Sequence, residues 1–178
     1  MRRLAFSAAL LLFAVSAAPA AEPITIGETV TVRSDILDVD RTVLISTPQG
    51  YEQSGQSYPV LYMTDGDAHL THTRGTADFL VQNGLMPPVI IVGVTNTDRT
   101  RDLSPTNASL AGRDGTLREF PTSGGASHFL DFFEKELFPY VESHYRTQPY
   151  RLLAGHSFGG LFALNALFTR PAMFEAVI

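Results

Sequence analysis

The stretch LLAGHSFGGLFAL, residues 152–164, decides the fold of this chain. An apolar strand pattern, Tyr150 to Ala154, leads into it, and an apolar helix pattern runs from Phe158 to Thr169. We expect this helix to point Leu161, Leu164 and Phe168 inward. Between the two patterns lies Gly-His-Ser-Phe-Gly, a G-x-S-x-G motif with Ser157 at its centre. A buried strand that turns into a helix at a serine is typical of an α/β architecture.

The residue types of this turn have a chemical reason. A sharp strand-to-helix turn strains its central residue, so the residues two positions away on each side must be small. Gly155 and Gly159 meet that need. The Ser157 hydroxyl is then lifted beside a helix N-terminus, where the N–H of Phe158 can stabilise an oxyanion. The motif predicts a serine nucleophile, and its alternative interpretation is a plain glycine-rich turn.

Strand and helix patterns alternate along the rest of the chain. Helices are predicted over residues 73–83, ending at Gly84, and over 127–145, which Pro139 should kink or restart. The runs PVLYM and PVIIVGV are apolar throughout, which is typical of strands buried on both faces. The predicted strands are residues 29–33, 41–47, 59–63, 88–94, 150–154 and 174–178, the first two pairing as a hairpin. Together these patterns predict a mostly parallel central sheet with helices on both faces.

Residues 95–126 show no strand or helix period and are rich in polar residues and glycine. A loop of that length in a compact domain is usually functional or disordered. Arg99 and Arg101 could recognise a carboxylate or phosphate on a substrate. The alternative is an arginine–aspartate pair, with Asp102, that pins the loop.

The N-terminus and the composition limit where the protein acts and what it binds. Residues 1–20 combine Arg2 and Arg3, an apolar run and the small-residue site Ala18-Pro19-Ala20, the layout of a cleavable signal peptide. This run is too short for a stable membrane anchor. We therefore expect a secreted or periplasmic protein with one domain over residues 21–178. A net charge of −5 argues against nucleic acid as a partner, and the absence of cysteine excludes disulfides and thiolate sites.

Four segments together resemble the esterase D-like branch of the α/β-hydrolases, which includes enterochelin esterases, S-formylglutathione hydrolases, feruloyl esterases and mycolyltransferases. The segments are YPVLYMTDGDAH (58–69), TNTDRTRDLSPT (95–106), FLDFFEKELFPYVESHYRT (129–147) and LLAGHSFGGLFAL (152–164). The resemblance covers residues 58–178 and implies an α/β-hydrolase fold. It also implies a serine esterase that acts on a small-molecule ester without metal or cofactor.

By this resemblance Ser157 is the nucleophile, and the oxyanion hole pairs the N–H of Phe158 with that of Asp67. The second assignment could shift by one residue to Gly66 or Ala68. Ser157 would attack an ester carbonyl while a histidine takes its proton, and water would then hydrolyse the acyl-enzyme. An acyltransferase, in which an alcohol replaces water, would have the same motif.

The other triad members are not evident after Ser157. In this fold the acid and the histidine follow the serine along the chain, yet only Glu175 and no histidine occur there. We therefore expect the chain to be the N-terminal part of a longer esterase, truncated after the helix that follows Ser157, with the acid and histidine downstream of Ile178. A chain of this kind would be inactive alone, and a non-catalytic protein is the remaining alternative.

The histidines before Ser157 are weaker candidates for the base. His156 adjoins Ser157, and its side chain is expected to turn away from the hydroxyl. His69 and His72 are predicted to lie in a loop after the Asp65-Gly66 turn, where His69 either lines the substrate pocket or bonds locally. A metal site made of Asp65, Asp67, His69 and His72 is rejected because no known ligand spacing fits. His128 and His144 are expected on the surface.

Overall fold

The computed structural model describes residues 21–178, so the predicted signal peptide lies outside the described residues. The strands are β1 (Glu28–Ser34), β2 (Val39–Ser46), β3 (Tyr58–Met63), β4 (Ile90–Val94), β5 (Ala108–Ala111), β6 (Leu117–Phe120), β7 (Thr147–Ala154) and β8 (Ala176–Val177). The helices are α1 (Tyr51–Ser54), α2 (Gly66–Gln82), α3 (Arg99–Leu103), α4 (Ala126–Phe132), α5 (Phe138–His144) and α6 (Phe158–Thr169). None of the described helices is long and apolar enough to cross a bilayer.

Six strands form one sheet in the order β1-β2-β4-β3-β7-β8. β1 and β2 form an antiparallel hairpin, and β2 also pairs antiparallel with β4. β4, β3, β7 and β8 are parallel, with Met63 of β3 opposite both Gly93 of β4 and Ala154 of β7. The mostly parallel sheet predicted from the apolar runs is confirmed. Its register brings the carboxyl ends of β4, β3 and β7 to one edge, where the turns to the following helices begin.

Helices cover both faces of this sheet, because alternate residues of a strand point to opposite sides. Val60 and Tyr62 of β3 pack into a core that contains Phe129, Phe133 and Phe162. Leu61 and Met63 pack on the other face against Leu70 and Ala77 of α2. Burial of these apolar side chains is the main force that holds the layers together.

The long helix predicted over residues 127–145 is interrupted just before Pro139, the residue predicted to kink or restart it. α4 and α5 are separated by a π-helical turn, Phe133–Leu137, and Pro139 lies in the first turn of α5. Proline has no N–H to donate to the carbonyl of Lys135, so the regular ladder is interrupted there. Glu136 of the π turn accepts hydrogen bonds from the backbone N–H groups of Asp35 and Ile36, which fixes the β1–β2 hairpin.

Three sequence-based predictions of local structure were wrong. Residues 95–126 contain α3 and an antiparallel β5–β6 hairpin rather than one long loop. The helix expected over 73–83 begins at Gly66, so His69 and His72 lie on α2 and not in a loop. In α6, Leu161, Leu164 and Phe168 are 41%, 51% and 79% exposed, whereas Phe162, Ala163 and Ala166 are buried. α6 is apolar on all sides, so its periodicity did not distinguish the buried face.

Candidate active site

Ser157 occupies the turn between β7 and α6 with φ 58° and ψ −117°. A non-glycine residue with positive φ is strained and persists only where its surroundings impose it. The two glycines show how little space the turn leaves. A Cβ on Gly155 would lie 2.1 Å from the carbonyl oxygen of Gly159, and a Cβ on Gly159 would lie 2.3 Å from Oγ1 of Thr64. The G-x-S-x-G spacing is therefore required by close contact with the backbone at Gly155 and with the Thr64 side chain at Gly159.

The Ser157 side chain is exposed at the N-terminus of α6. The N–H groups of Gly159 and Leu161 donate to the carbonyl oxygens of His156 and Ser157, at 2.9 and 3.0 Å. Phe158 is the first residue of α6, so its own N–H has no acceptor within the helix. This N–H and the helix dipole are available to a negative charge that forms on a group bonded to Ser157.

A second strand-to-helix turn with a positive φ connects β3 to α2. Asp65 precedes α2 in the left-handed conformation, with φ 55° and ψ 41°. The N–H groups of Ala68 and His69 donate to the carbonyl oxygen of Asp65, at 3.0 and 3.1 Å. Gly66 and Asp67 come earlier in the helix, so their N–H groups have no intrahelical acceptor. Asp67 thus meets one requirement of the oxyanion donor that the resemblance implied, a role that stays a prediction.

Arg99 joins the two turns. Its Nε and Nη2 atoms donate to Oδ1 and Oδ2 of Asp65, at 2.6 and 3.0 Å. Nη2 also donates to the carbonyl oxygen of His156 at 3.3 Å, and Cζ lies 5.4 Å from the centre of the Phe158 ring. One guanidinium therefore contacts the turn before α2 and both neighbours of Ser157. The positive charge of Arg99 is therefore paired with the carboxylate of Asp65.

Asp65 is ionised within this contact although it is only 4% exposed. Burial alone would raise the pKa of its carboxyl group. Hydrogen bonds from Arg99 and from Nδ2 of Asn96, the latter at 2.6 Å, outweigh burial and lower that pKa below its ordinary value. The same contact raises the pKa of Arg99. The two groups stabilise each other's charge.

Arg101 forms the arginine–aspartate pair that the sequence left as an alternative to substrate binding. Its Nε atom donates to Oδ1 of Asp102 at 2.8 Å, and the buried Arg41 donates from Nη1 to Oδ2 at 2.7 Å. Arg41 also donates to the carbonyl oxygen of Thr95 at 3.0 Å. These contacts anchor α3 against β2, so Arg101 has a structural partner in this chain.

The histidines divide into two groups. His128 and His144 are exposed, as predicted. His69, His72 and His156 line a cavity of about 310 Å³ beside the Ser157 turn, with ring centres 5.1 Å apart for His69 and His72 and 5.8 Å apart for His69 and His156. Among the described residues, no hydrogen bond joins a histidine to the Ser157 hydroxyl. Within residues 21–178, no group of three or more histidine, aspartate or glutamate side chains is arranged so that it could hold a metal ion.

Two features of the site were missed by sequence reasoning. Asp65 and Asn96 follow the carboxyl ends of neighbouring parallel strands, and this topology was the signal that could have brought them together. Phe120 of β6 places its ring centre 5.9 Å from that of Phe158, so the β5–β6 hairpin reaches the residue after Ser157. The sequence offered no signal for this contact because it depends on a hairpin that was not predicted.

Comparison with known proteins identifies the family. A family model described as "Putative esterase" matches residues 34–178. Ferri-bacillibactin esterase BesA of Bacillus subtilis is 34% identical over 137 residues, covering 68% of this chain and 46% of the relative. Siderophore enterobactin esterase of Emericella nidulans is 35% identical over 148 residues, covering 71% of this chain and 46% of the relative. The chain thus spans about half the length of the curated relatives it matches.

Solved structures show the same relationship. An IroE-like serine hydrolase from Shewanella oneidensis is 40% identical with a TM-score of 0.78, over 85% of this chain and 49% of that protein. The siderophore hydrolase EstA from Aspergillus nidulans is 25% identical with a TM-score of 0.71, over 90% of this chain and 60% of that protein. The chain has the α/β-hydrolase fold and belongs to the "Putative esterase" family, in agreement with the resemblance that its four segments carry.

Proposed function

We propose that this chain carries the nucleophile and oxyanion donors of a carboxylic-ester hydrolase, with Ser157 as the nucleophile. One observation carries the proposal: Ser157 is held at positive φ, exposed, directly before the unpaired first N–H of α6. Strain of this kind at an exposed serine is expected where the hydroxyl has to be presented to a substrate. Membership of an esterase family supports the same conclusion.

In the proposed reaction, the Ser157 oxygen bonds to the ester carbonyl carbon while a histidine takes the hydroxyl proton. The N–H groups of Phe158 and Asp67 donate to the oxyanion that forms. The tetrahedral intermediate then expels the alcohol, which receives the proton from the histidine. Water repeats the sequence on the acyl-enzyme and releases the acid. An oxyanion donor of this kind typically contributes about 3 kcal/mol to transition-state stabilisation.

We propose that the triad histidine and acid lie downstream of Ile178. The support is that no described histidine bonds to Ser157, and that the matched relatives are about twice as long as their aligned part. His69 lies next to the site and is proposed to line the substrate pocket. Because named relatives hydrolyse siderophores, we propose a small-molecule ester of that class as substrate. Export directed by residues 1–20, with cleavage after Ala20, is part of the proposal. A protein that stays in the cytoplasm would refute the export, and an exported protein that still begins at Met1 would refute the cleavage.

The experiment compares Ser157→Ala with Ser127→Ala in the full-length protein, using p-nitrophenyl butyrate and fluorophosphonate labelling. Ser127 is also exposed, at the start of α4, and serves as the matched control. We expect Ser157→Ala to lower kcat/KM at least about 10³-fold and to abolish labelling, whereas Ser127→Ala changes neither. Labelling of another serine, or activity that survives Ser157→Ala, would refute the proposal.

A further inference from the structure

We propose that the β5–β6 hairpin is a substrate-selecting arm of this site and that Arg118 binds a carboxylate or similar oxyanion carried by the ester. The inference rests on the proposed function. It moves the role that the sequence suggested for Arg99 and Arg101 to a different arginine of the same segment. Arg99 and Arg101 form ion pairs with Asp65 and Asp102, whereas Arg118 forms no ion pair among residues 21–178.

The hairpin is held firmly at its base. Nδ2 of Asn107 donates to the carbonyl oxygens of Pro121 and Ser123, at 3.3 and 3.2 Å. The N–H of Ala108 donates to Oγ of Ser123 at 3.0 Å. Beyond these bonds both strands are largely exposed. The hairpin therefore projects from a fixed base, and its contact between Phe120 and Phe158 places it beside the nucleophile.

Arg118 lies on the face of the hairpin that meets the site. Phe120 is opposite Ala108 and Arg118 is opposite Leu110, so these four residues share one face. Glu119 is opposite Ser109 on the other face, where it cannot neutralise Arg118. The guanidinium carbon of Arg118 lies 5.1 Å from the centre of the Phe120 ring. Two successive contacts, Arg118 to Phe120 and Phe120 to Phe158, connect this cation with the residue after Ser157.

This arrangement suits an oxyanion. A guanidinium held against an aromatic ring loses little further freedom when it binds, and its N–H groups match both oxygens of a carboxylate. The neighbouring Phe120 and Leu110 offer apolar contact to the carbon chain that carries the charge. The arrangement therefore favours esters that carry an oxyanion over neutral esters of the same length.

The test uses mono-p-nitrophenyl adipate and p-nitrophenyl hexanoate, which have acyl chains of equal length and differ in charge. Arg118→Gln in the full-length protein should lower kcat/KM for the adipate ester about 10-fold and change the hexanoate value less than twofold. Arg118→Glu should lower the adipate value further. Arg113→Gln is the matched control, since Arg113 is exposed at the tip of the same hairpin and has no ring contact recorded in residues 21–178.

Binding to the Ser157→Ala protein separates this inference from the proposed function, because it needs no turnover. Calorimetry should show that adipate monoester binds at least about 5-fold more tightly than the hexanoate ester, and that adding Arg118→Gln removes the difference. Equal losses for both esters, equal effects of Arg113→Gln, or an unchanged preference after Arg118→Gln would each overturn the role of Arg118. Activity that survives Ser157→Ala would instead overturn the proposed nucleophile, and the binding comparison would then use a carboxylate and a neutral compound, adipate and hexanoic amide, which have no ester to be hydrolysed.

Discussion

Two strand-to-helix turns lie side by side in this molecule, and each has a residue with positive φ before its helix although the ψ angles differ. Asp65 precedes α2 and Ser157 precedes α6, each at positive φ and neither with a side-chain capping bond. The strands that lead to them are hydrogen-bonded neighbours, with Met63 opposite Ala154. Asp65 is buried and bonded to Arg99 and Asn96, whereas Ser157 is exposed. One turn uses its side chain to hold the two turns together, and the other leaves its side chain exposed, as the proposed nucleophile requires.

The largest difference between the two turns is expected from a substitution that disturbs the close backbone contact inside the Ser157 turn. Gly155→Ala would place a Cβ 2.1 Å from the carbonyl oxygen of Gly159, a backbone atom that cannot move away alone. We expect a loss of about 3 kcal/mol or more in the free energy of unfolding, measured by urea denaturation. Gly75→Ala is the control, because nothing lies within 4 Å of a Cβ at that position in α2. That change should stabilise the protein by about 1 kcal/mol. Equal effects of the two substitutions would contradict the prediction.

The next largest effect is expected from a substitution that removes the charge of Asp65 and keeps the shape of its side chain. Asp65→Asn leaves the buried face of Arg99 without its anionic partner, so we expect a loss of about 2 kcal/mol in the free energy of unfolding at pH 7. Asp67→Asn, at an exposed position in the same turn, should change stability by roughly 0.5 kcal/mol at most. Chemical denaturation of both variants measures the contrast.

The pH dependence of that contrast follows from the lowered pKa of Asp65. The folded-state pKa lies below that of the unfolded chain, about 3.9, so the ionised carboxylate contributes stability that is fully present above about pH 4. This contribution is lost as pH falls through the folded-state pKa. The difference between the parent protein and Asp65→Asn should therefore be largest near pH 7 and shrink below about pH 4. A difference that grows on acidification would show that the carboxyl group is not stabilised as an anion.

The comparison also shows which parts of the site a sequence can predict. Ser157, Phe158 and the two flanking glycines lie within five consecutive residues, so a local motif was sufficient to predict the strand-to-helix turn that they form and to propose their roles. The partners of Asp65 are 31 and 34 residues away along the chain. Only the pairing of β3 with β4 brings them together.

The parts of the fold that were missed share a physical cause. The buried strands β3 and β4 are continuous apolar runs and were predicted, whereas β5 and β6 are short and exposed and show no apolar period. In α6, apolar residues occupy the exposed face as well as the buried one, so pattern could not orient the helix. Sequence reasoning located the strands that burial makes continuously apolar. It failed for the exposed strands and for the orientation of a helix that is apolar on all sides.

The smallest effect is expected from Arg99→Lys, which changes only the side chain that contacts both turns. Lysine keeps a positive charge near Asp65 but cannot donate to both carboxylate oxygens and to the carbonyl oxygen of His156 in one geometry. We expect a stability loss of about 1 kcal/mol and, in the full-length protein, a kcat about 10-fold lower with KM changed less than twofold. We expect kcat and not KM to change because Arg99 holds the two turns beside Ser157 in place, while its charge is already paired with Asp65 and is not available to bind substrate. Arg101→Lys is the matched control, since Arg101 pairs with Asp102 and not with either turn, so its kcat should stay unchanged. A raised KM in Arg99→Lys with normal kcat would mean that Arg99 binds substrate directly, and the two turns would then be independent of each other.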